Sequence, residues 1–173
     1  MGSPRVTYLC FLGGAVLWCT AIVLAPLLVA TAGPLLPLGE FIYQFFHPIC
    51  HQIESRSLHF VGGPLAVCSR CAAIYVAFLG GTILYPLIRD LRETTLPPRA
   101  FLIAALVPLF VDGIAGGGIL YEASMMTRLV SGTIAGGMLP FYVLPAAIEG
   151  FGQLLGERMQ PLIEQPQKGS TDA

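Results

Sequence analysis

Charge is scarce in this chain. Of its 173 residues only 11% are Asp, Glu, Lys or Arg, against roughly 25% in an ordinary soluble domain. That shortage excludes a soluble globular protein. A hydrophobic share of 55% excludes a disordered one. The net charge of −1 gives no electrostatic basis for a nucleic-acid partner. Metal-ligating and nucleophilic side chains are few as well, with three histidines and five cysteines in all.

What is present is long apolar sequence, with a mean hydropathy of +0.75. About 20 consecutive apolar residues cross a bilayer core. The charge-free runs predict four such spans, at about 6–31, 65–88, 100–121 and 128–149. The expectation is an all-α polytopic membrane protein, a single membrane domain over 1–173. It has four transmembrane helices, an outer loop over 32–64 carrying a short interfacial helix or loop, and a short polar tail over 150–173. The first apolar run is longer than the 7–15 residues of a signal-peptide core, so it reads as a retained span even though Ala30-Thr31-Ala32 resembles a cleavage site. Met1-Gly2 does not make a myristoylation signal, because position 6 is Val6.

Orientation follows the basic residues. Arg5, Arg89, Arg92, Arg99, Arg158 and Lys168 fall on one side, and Arg56, Arg70 and Arg128 on the other. The first side is expected to be cytoplasmic, with both termini, in a multi-pass protein of the cell membrane. Small residues at GxxxG spacing, Gly113/Gly117 and Gly132/Gly136, are expected to let helices pack closely. Gly13-Gly14 and Gly80-Gly81 read the same way. Pro26, Pro86, Pro108, Pro140 and Pro145 are expected to kink or end helices.

The chemistry is concentrated in one stretch, HPICHQIESRSLHFVGGPLAVCSRC, residues 47–71. It holds all three histidines and three of the five cysteines. His47-x2-Cys50 and Cys68-x2-Cys71, separated by 17 residues, have the paired-ligand spacing of a structural zinc site. The expected ligands are Cys50, Cys68 and Cys71 with His47 or His51. A short helix is expected over Pro48–Ser57, then a turn at Gly62-Gly63-Pro64, with the second span starting near Leu65. Cys10 and Cys19 read as small apolar residues, and His59 as an interfacial polar one.

A second signal is Asp112 inside the third span. An intramembrane carboxylate is costly and is a functional candidate. With Arg56, Arg70, Glu122 and Arg128 it falls on the same membrane face as the Cys/His stretch. The expectation is a polar pocket of the candidate catalytic residues Asp112, His51, Arg56, Arg70 and Arg128, able to act on or hold an anionic lipid or small molecule, or a simple ion pair of Asp112 with Arg70 or Arg128 locking helices together.

These residues also carry a resemblance. CHQ at 50–52, SRS at 55–57 and CSRC at 68–71, followed by IY and FLGG, resemble a family of small bacterial and archaeal membrane proteins of unknown function with a CHQ–ERS–CxRC signature. Asp112-Gly113 and Arg128 with Gly132 fit it too, so the resemblance covers about 45–140. Ser55 departs from the signature's acid, with Glu54 adjacent. The resemblance implies that Cys50, His51, Arg56, Cys68, Arg70 and Cys71 belong to one motif, and it implies no reaction.

The leading expectation is therefore a membrane metalloprotein with zinc at the outer face. The alternatives are a thiol oxidoreductase using Cys68/Cys71 with a quinone, copper handling at the same ligands, and a structural or partner-binding membrane protein. In every case the lipid bilayer is a partner.

Overall fold

A computed structural model of the chain describes residues 4–31, 33–114 and 123–163, the last ten of these by backbone alone. Its architecture is mostly helical. Helix α1 runs Pro4–Ala30 and α2 Leu36–Phe46; a 3-10 turn at Glu54–Arg56 leads into strands β1 (Ser57–Phe60) and β2 (Gly63–Cys68); then come α3 (Ser69–Ile88), α4 (Arg99–Ile114), α5 (Met125–Met138) and α6 (Pro140–Ile163).

Among the described residues, three helical segments are long and apolar enough to cross a membrane: Pro4–Ala30, Ser69–Ile88 and Met125–Phe151. The last joins α5 to the start of α6. Pro140 has no N–H to donate, and it divides the two helices without redirecting the chain far, since Leu139 keeps helical dihedrals (φ −54°, ψ −42°). The expected third span, 100–121, overlaps α4, a helix of 16 residues. That length is about 24 Å, short of a bilayer core of about 30 Å. Gly117 and Glu122 lie outside the described residues, as does the end of the tail.

Helix α1 buries Ile22, Ala25, Pro26 and Leu28 in its second half. There α2 folds back against it. A Cβ on Gly39 would meet Val29 Cγ2 at 2.9 Å and Leu28 Cβ at 3.0 Å, so only glycine permits this approach. Helix α2 buries Gly39, Ile42 and Phe46 on one face and exposes Leu38, Phe41 and Phe45 on the other, the pattern of an interfacial helix. Trp18 of α1 stacks edge-on against Phe45, Phe46 and Tyr75 at 5.0–5.6 Å.

The stretch after α2 differs from the expected helix over 48–57. Helix α2 ends at Phe46, Gln52 is left-handed (φ 50°), and the chain then forms an antiparallel hairpin with Ser57 opposite Cys68 and Phe60 opposite Gly63. The Gln52 amide donates to the carbonyls of Tyr43 (2.7 Å) and Ala66 (2.8 Å), tying the end of α2 to β2. Val61 and Gly62 both take positive φ (53° and 81°), as a tight two-residue hairpin turn requires. Residues 65–68 are spent on strand pairing, so α3 starts at Ser69, four residues later than the apolar run suggests.

Helix α5 is the main neighbour of α3. A Cβ on Gly132 would meet the Arg70 carbonyl at 2.7 Å and Ala73 Cβ at 2.9 Å; one on Gly136 would strike the Ile74 backbone, its Cα at 2.7 Å. Gly81 makes a similar approach to the Gly137 carbonyl, 2.7 Å. Gly13, Gly14 and Gly80 have nothing within 4 Å of an added Cβ, so they play no part in packing here.

Candidate metal centre

Three parts of the chain deliver one thiol each. Cys50 follows α2, where its N–H still bonds to the Phe46 carbonyl at 2.9 Å. Cys68 closes β2 and flanks the start of α3. Cys71 sits in the first turn of that helix. Pairing of β1 with β2 and the Gln52 clip bring the Cys50 end of the loop back to the Cys68 end. The three sulfurs lie within 4.8 Å of one another, and the Cys68 and Cys71 sulfurs are 3.5 Å apart. Tetrahedral zinc with Zn–S of about 2.3 Å sets its sulfurs about 3.8 Å apart, so the donor set fits such an ion in both chemistry and spacing.

The surroundings of Cys68 favour its thiolate. The Cys68 backbone N–H donates to the Cys50 sulfur at 3.2 Å. The hydrogen bond from Cys71 brings the Cys68 thiol down to about 5; burial opposes this, and the backbone N–H groups of Cys71 and Arg70 and the Cys50 side chain assist. Cys50 is buried and Cys68 and Cys71 are half-buried, with Trp18, Tyr75 and Phe46 in the apolar cluster around them.

Neither histidine belongs to this group. His47, at the C-terminus of α2, and His51, next to Cys50, are both exposed. His59 is exposed on β1, with its Nε2 3.8 Å from Glu54. Cys10 is exposed, and the half-buried Cys19 is 3.5 Å from the Tyr75 carbonyl.

Of the residues of the expected polar pocket, Arg70 and Asp112 meet in a buried ion pair. Arg70, between the two thiols of CSRC, donates from Nε to Asp112 Oδ2 at 2.9 Å and from Nη2 to the same carboxylate and to the Asp112 carbonyl, the latter at 2.9 Å. Ser131 Oγ donates to Oδ2 at 3.3 Å. Asp112 is 3% exposed, so the pairing offsets a large desolvation cost. It joins α3, α4 and α5. Arg56 is exposed at the end of the 3-10 turn, Arg128 is half-buried on α5, and His51 is on the loop; none is among the hydrogen-bond partners seen for Asp112. Ser131 and Gln52 complete the two networks without having been singled out by spacing. The only sequence signals for them are Ser131 beside Gly132 on α5 and Gln52 inside CHQ.

A family model described as "Predicted membrane protein (DUF2085)" matches residues 50–142, from Cys50 through Cys68, Arg70, Cys71, Asp112 and Ser131. The chain belongs to this family. An uncharacterized protein of Methanocaldococcus jannaschii is 40% identical over 108 residues, covering 62% of this chain and 69% of that protein. No solved structure matches. Membership of DUF2085 thus makes this a membrane protein of a family without an assigned activity, and the three-thiol group lies wholly within the matched segment.

Proposed function

We propose that this protein carries a structural zinc centre that fastens its outer segment to the start of α3. The observation that supports the reading is the convergence of Cys50 from the loop after α2, Cys68 from the end of β2 and Cys71 from the first turn of α3 to within 4.8 Å. The fourth ligand is His51 or His47, both exposed and adjacent to the group in sequence, so that either ring is free to reorient. Four protein ligands close a zinc site and leave no position for substrate. The ion's contribution is then to hold α2, the hairpin and α3 together, where a loop of 17 residues separates Cys50 from Cys68.

In the same reading the protein spans the membrane four times, with 100–121 as the third span. Both termini are cytoplasmic and the metal centre faces outward. Arg70 spends its charge on Asp112, so any anion held at this outer face, a lipid phosphate or a small carboxylate, falls to Arg56 and Arg128. The domain is a single unit over 1–173.

One observation favours a second reading. The 3.5 Å separation of the Cys68 and Cys71 sulfurs, at the start of a helix, also suits a dithiol that passes two electrons and two protons to a quinone and closes to a disulfide. Elemental analysis of the purified protein together with a free-thiol count separates the two. Zinc with reduced thiols supports the centre. A Cys68–Cys71 disulfide without metal replaces it with the redox reading.

A further inference from the structure

At the other end of α3, about 30 Å along a 20-residue helix, the helix terminus and the start of α1 enclose a second site. A cavity of ≈ 570 Å³ is lined by Pro4, Arg5, Pro86, Arg89, Asp90 and Arg92, among others. Its charges are partly spent. Arg89 Nη2 bonds Glu93 Oε1 at 2.7 Å and Thr95 Oγ1 at 2.9 Å, and its Nη1 bonds the Thr95 carbonyl at 2.8 Å. Asp90 Oδ1 accepts the Arg92 backbone N–H at 2.9 Å. Among the described residues the ion pairs are His59–Glu54, Arg70–Asp112 and Arg89–Glu93. Arg5 and Arg92 enter none of them, and both are exposed residues that line this cavity.

The second observation is what adjoins Arg5. From the next residue, Val6, an apolar groove of ≈ 670 Å³ runs along α1, lined by Val6, Cys10, Gly14 and Trp18 and, on α3, by Tyr75 and Phe78. Both helices are long and apolar enough to span a bilayer, so this groove lies at the depth of acyl chains. Unpaired cations at a helix end with a hydrocarbon groove starting beside them match an amphiphile with an anionic head and an apolar tail. A free phosphate would use only the first feature. We propose that Arg5 and Arg92, supported by Arg89, form a binding site for the phosphodiester headgroup of an anionic membrane lipid, one chain of which occupies the α1/α3 groove. The site is remote from the thiol cluster, so it stands or falls independently of the metal centre.

The test uses the full chain in neutral detergent, with bound phosphatidylglycerol and phosphatidylcholine quantified by native mass spectrometry. The parent protein should retain phosphatidylglycerol selectively. Arg5→Gln with Arg92→Gln should weaken that retention about 25-fold, roughly fivefold per arginine near a membrane surface. Arg99→Gln, which removes a charge outside the cavity, should leave it unchanged. Equal retention by parent and double variant overturns the proposal, as does an equal loss with Arg99→Gln, which would make the attraction a diffuse one. Displacement by millimolar inorganic phosphate, in place of competition by lipid only, overturns the assignment to a lipid. Should the double variant fail to fold by circular dichroism, a photoreactive phosphatidylglycerol on the parent protein decides: labelling should map to residues 4–18, 74–78 and 86–92, which line the cavity and the groove, and labelling elsewhere refutes the site.

Discussion

Arg70 and Asp112, 42 residues apart, are joined through the guanidinium, the carboxylate and the Asp112 carbonyl at the point where α3 leaves the thiol cluster. Because Arg70 lies between Cys68 and Cys71, the pair connects the candidate metal centre to α4, and through Ser131 to α5. The acid that the sequence marks as a functional candidate is thus buried in an ion pair that joins three helices. A charge removed from one side leaves the other stranded in a poorly solvated site, which is where the cost of breaking such a pair arises.

Asp112→Asn should therefore destabilise the protein. Removal of one partner from a fully buried pair costs about 3–5 kcal/mol. The Arg70 side chain keeps 24% of its exposure, so solvent recovers part of that, and about 2–3 kcal/mol is expected. Arg70→Leu with Asp112→Leu should cost less than either single change, because neither charge is left alone. Denaturant unfolding in detergent micelles measures all three. Asp112→Asn as stable as the parent would sink the account of the pair as a strut.

The α3–α5 contact makes a sharper contrast among glycines. Gly136→Ala places a methyl group against the Ile74 backbone, where nothing can rotate away, so the helices must separate. The expected loss is about 1–3 kcal/mol. Gly13→Ala meets nothing within 4 Å, and alanine is the better helix former by about 1 kcal/mol, so this change should be neutral or mildly stabilising. Thermal unfolding of the two variants side by side checks the packing, and equal losses would contradict it.

For the thiol cluster, Cys50→Ser, Cys68→Ser and Cys71→Ser should each abolish zinc retention, since the three sulfurs act as one donor set. Cys10→Ser and Cys19→Ser should keep it. Among the histidines, the one whose change to Ala weakens binding is the fourth ligand, and His59→Ala should be silent. Zinc content after dialysis against a weak chelator gives the ranking. Zinc bound as well by Cys68→Ser as by the parent would remove the assignment.

The class of protein and the cysteine grouping were readable in the sequence because each rests on a local count: long charge-free runs, and x2 spacings separated by a loop of suitable length. The hairpin was not. Pro48 and the i,i+4 arrangement of Cys50 with Glu54 point to a helix, and what overrides them is a non-local bond, the Gln52 amide reaching Tyr43 and Ala66. Helix α2 was hidden for a related reason. Its apolar face is completed by α1 through Gly39, and one glycine in an otherwise loop-like stretch gives no warning of that contact. The partner of Asp112 was narrowed to Arg70 or Arg128 by position, but choosing between them needed the rotation of α3 about its axis, which Gly132 and Gly136 set by pulling α5 onto Ala73 and Ile74.

The last expectation concerns the side of the membrane on which the cluster works. Six basic residues fall on one side of the expected four spans and three on the other, and the side richer in Arg and Lys stays in the cytoplasm. A cytoplasmic reporter fused after Ala173 should be active, and a cysteine introduced at Gly62, on the exposed hairpin turn, should react with an impermeant maleimide added to intact cells. An odd number of crossings would place Ala173 outside while Gly62 still reacts, which would show that α4 does not span. Labelling of Gly62→Cys only after the cells are opened would put the thiols in a reducing compartment, where a quinone-linked disulfide is disfavoured and a zinc centre is not.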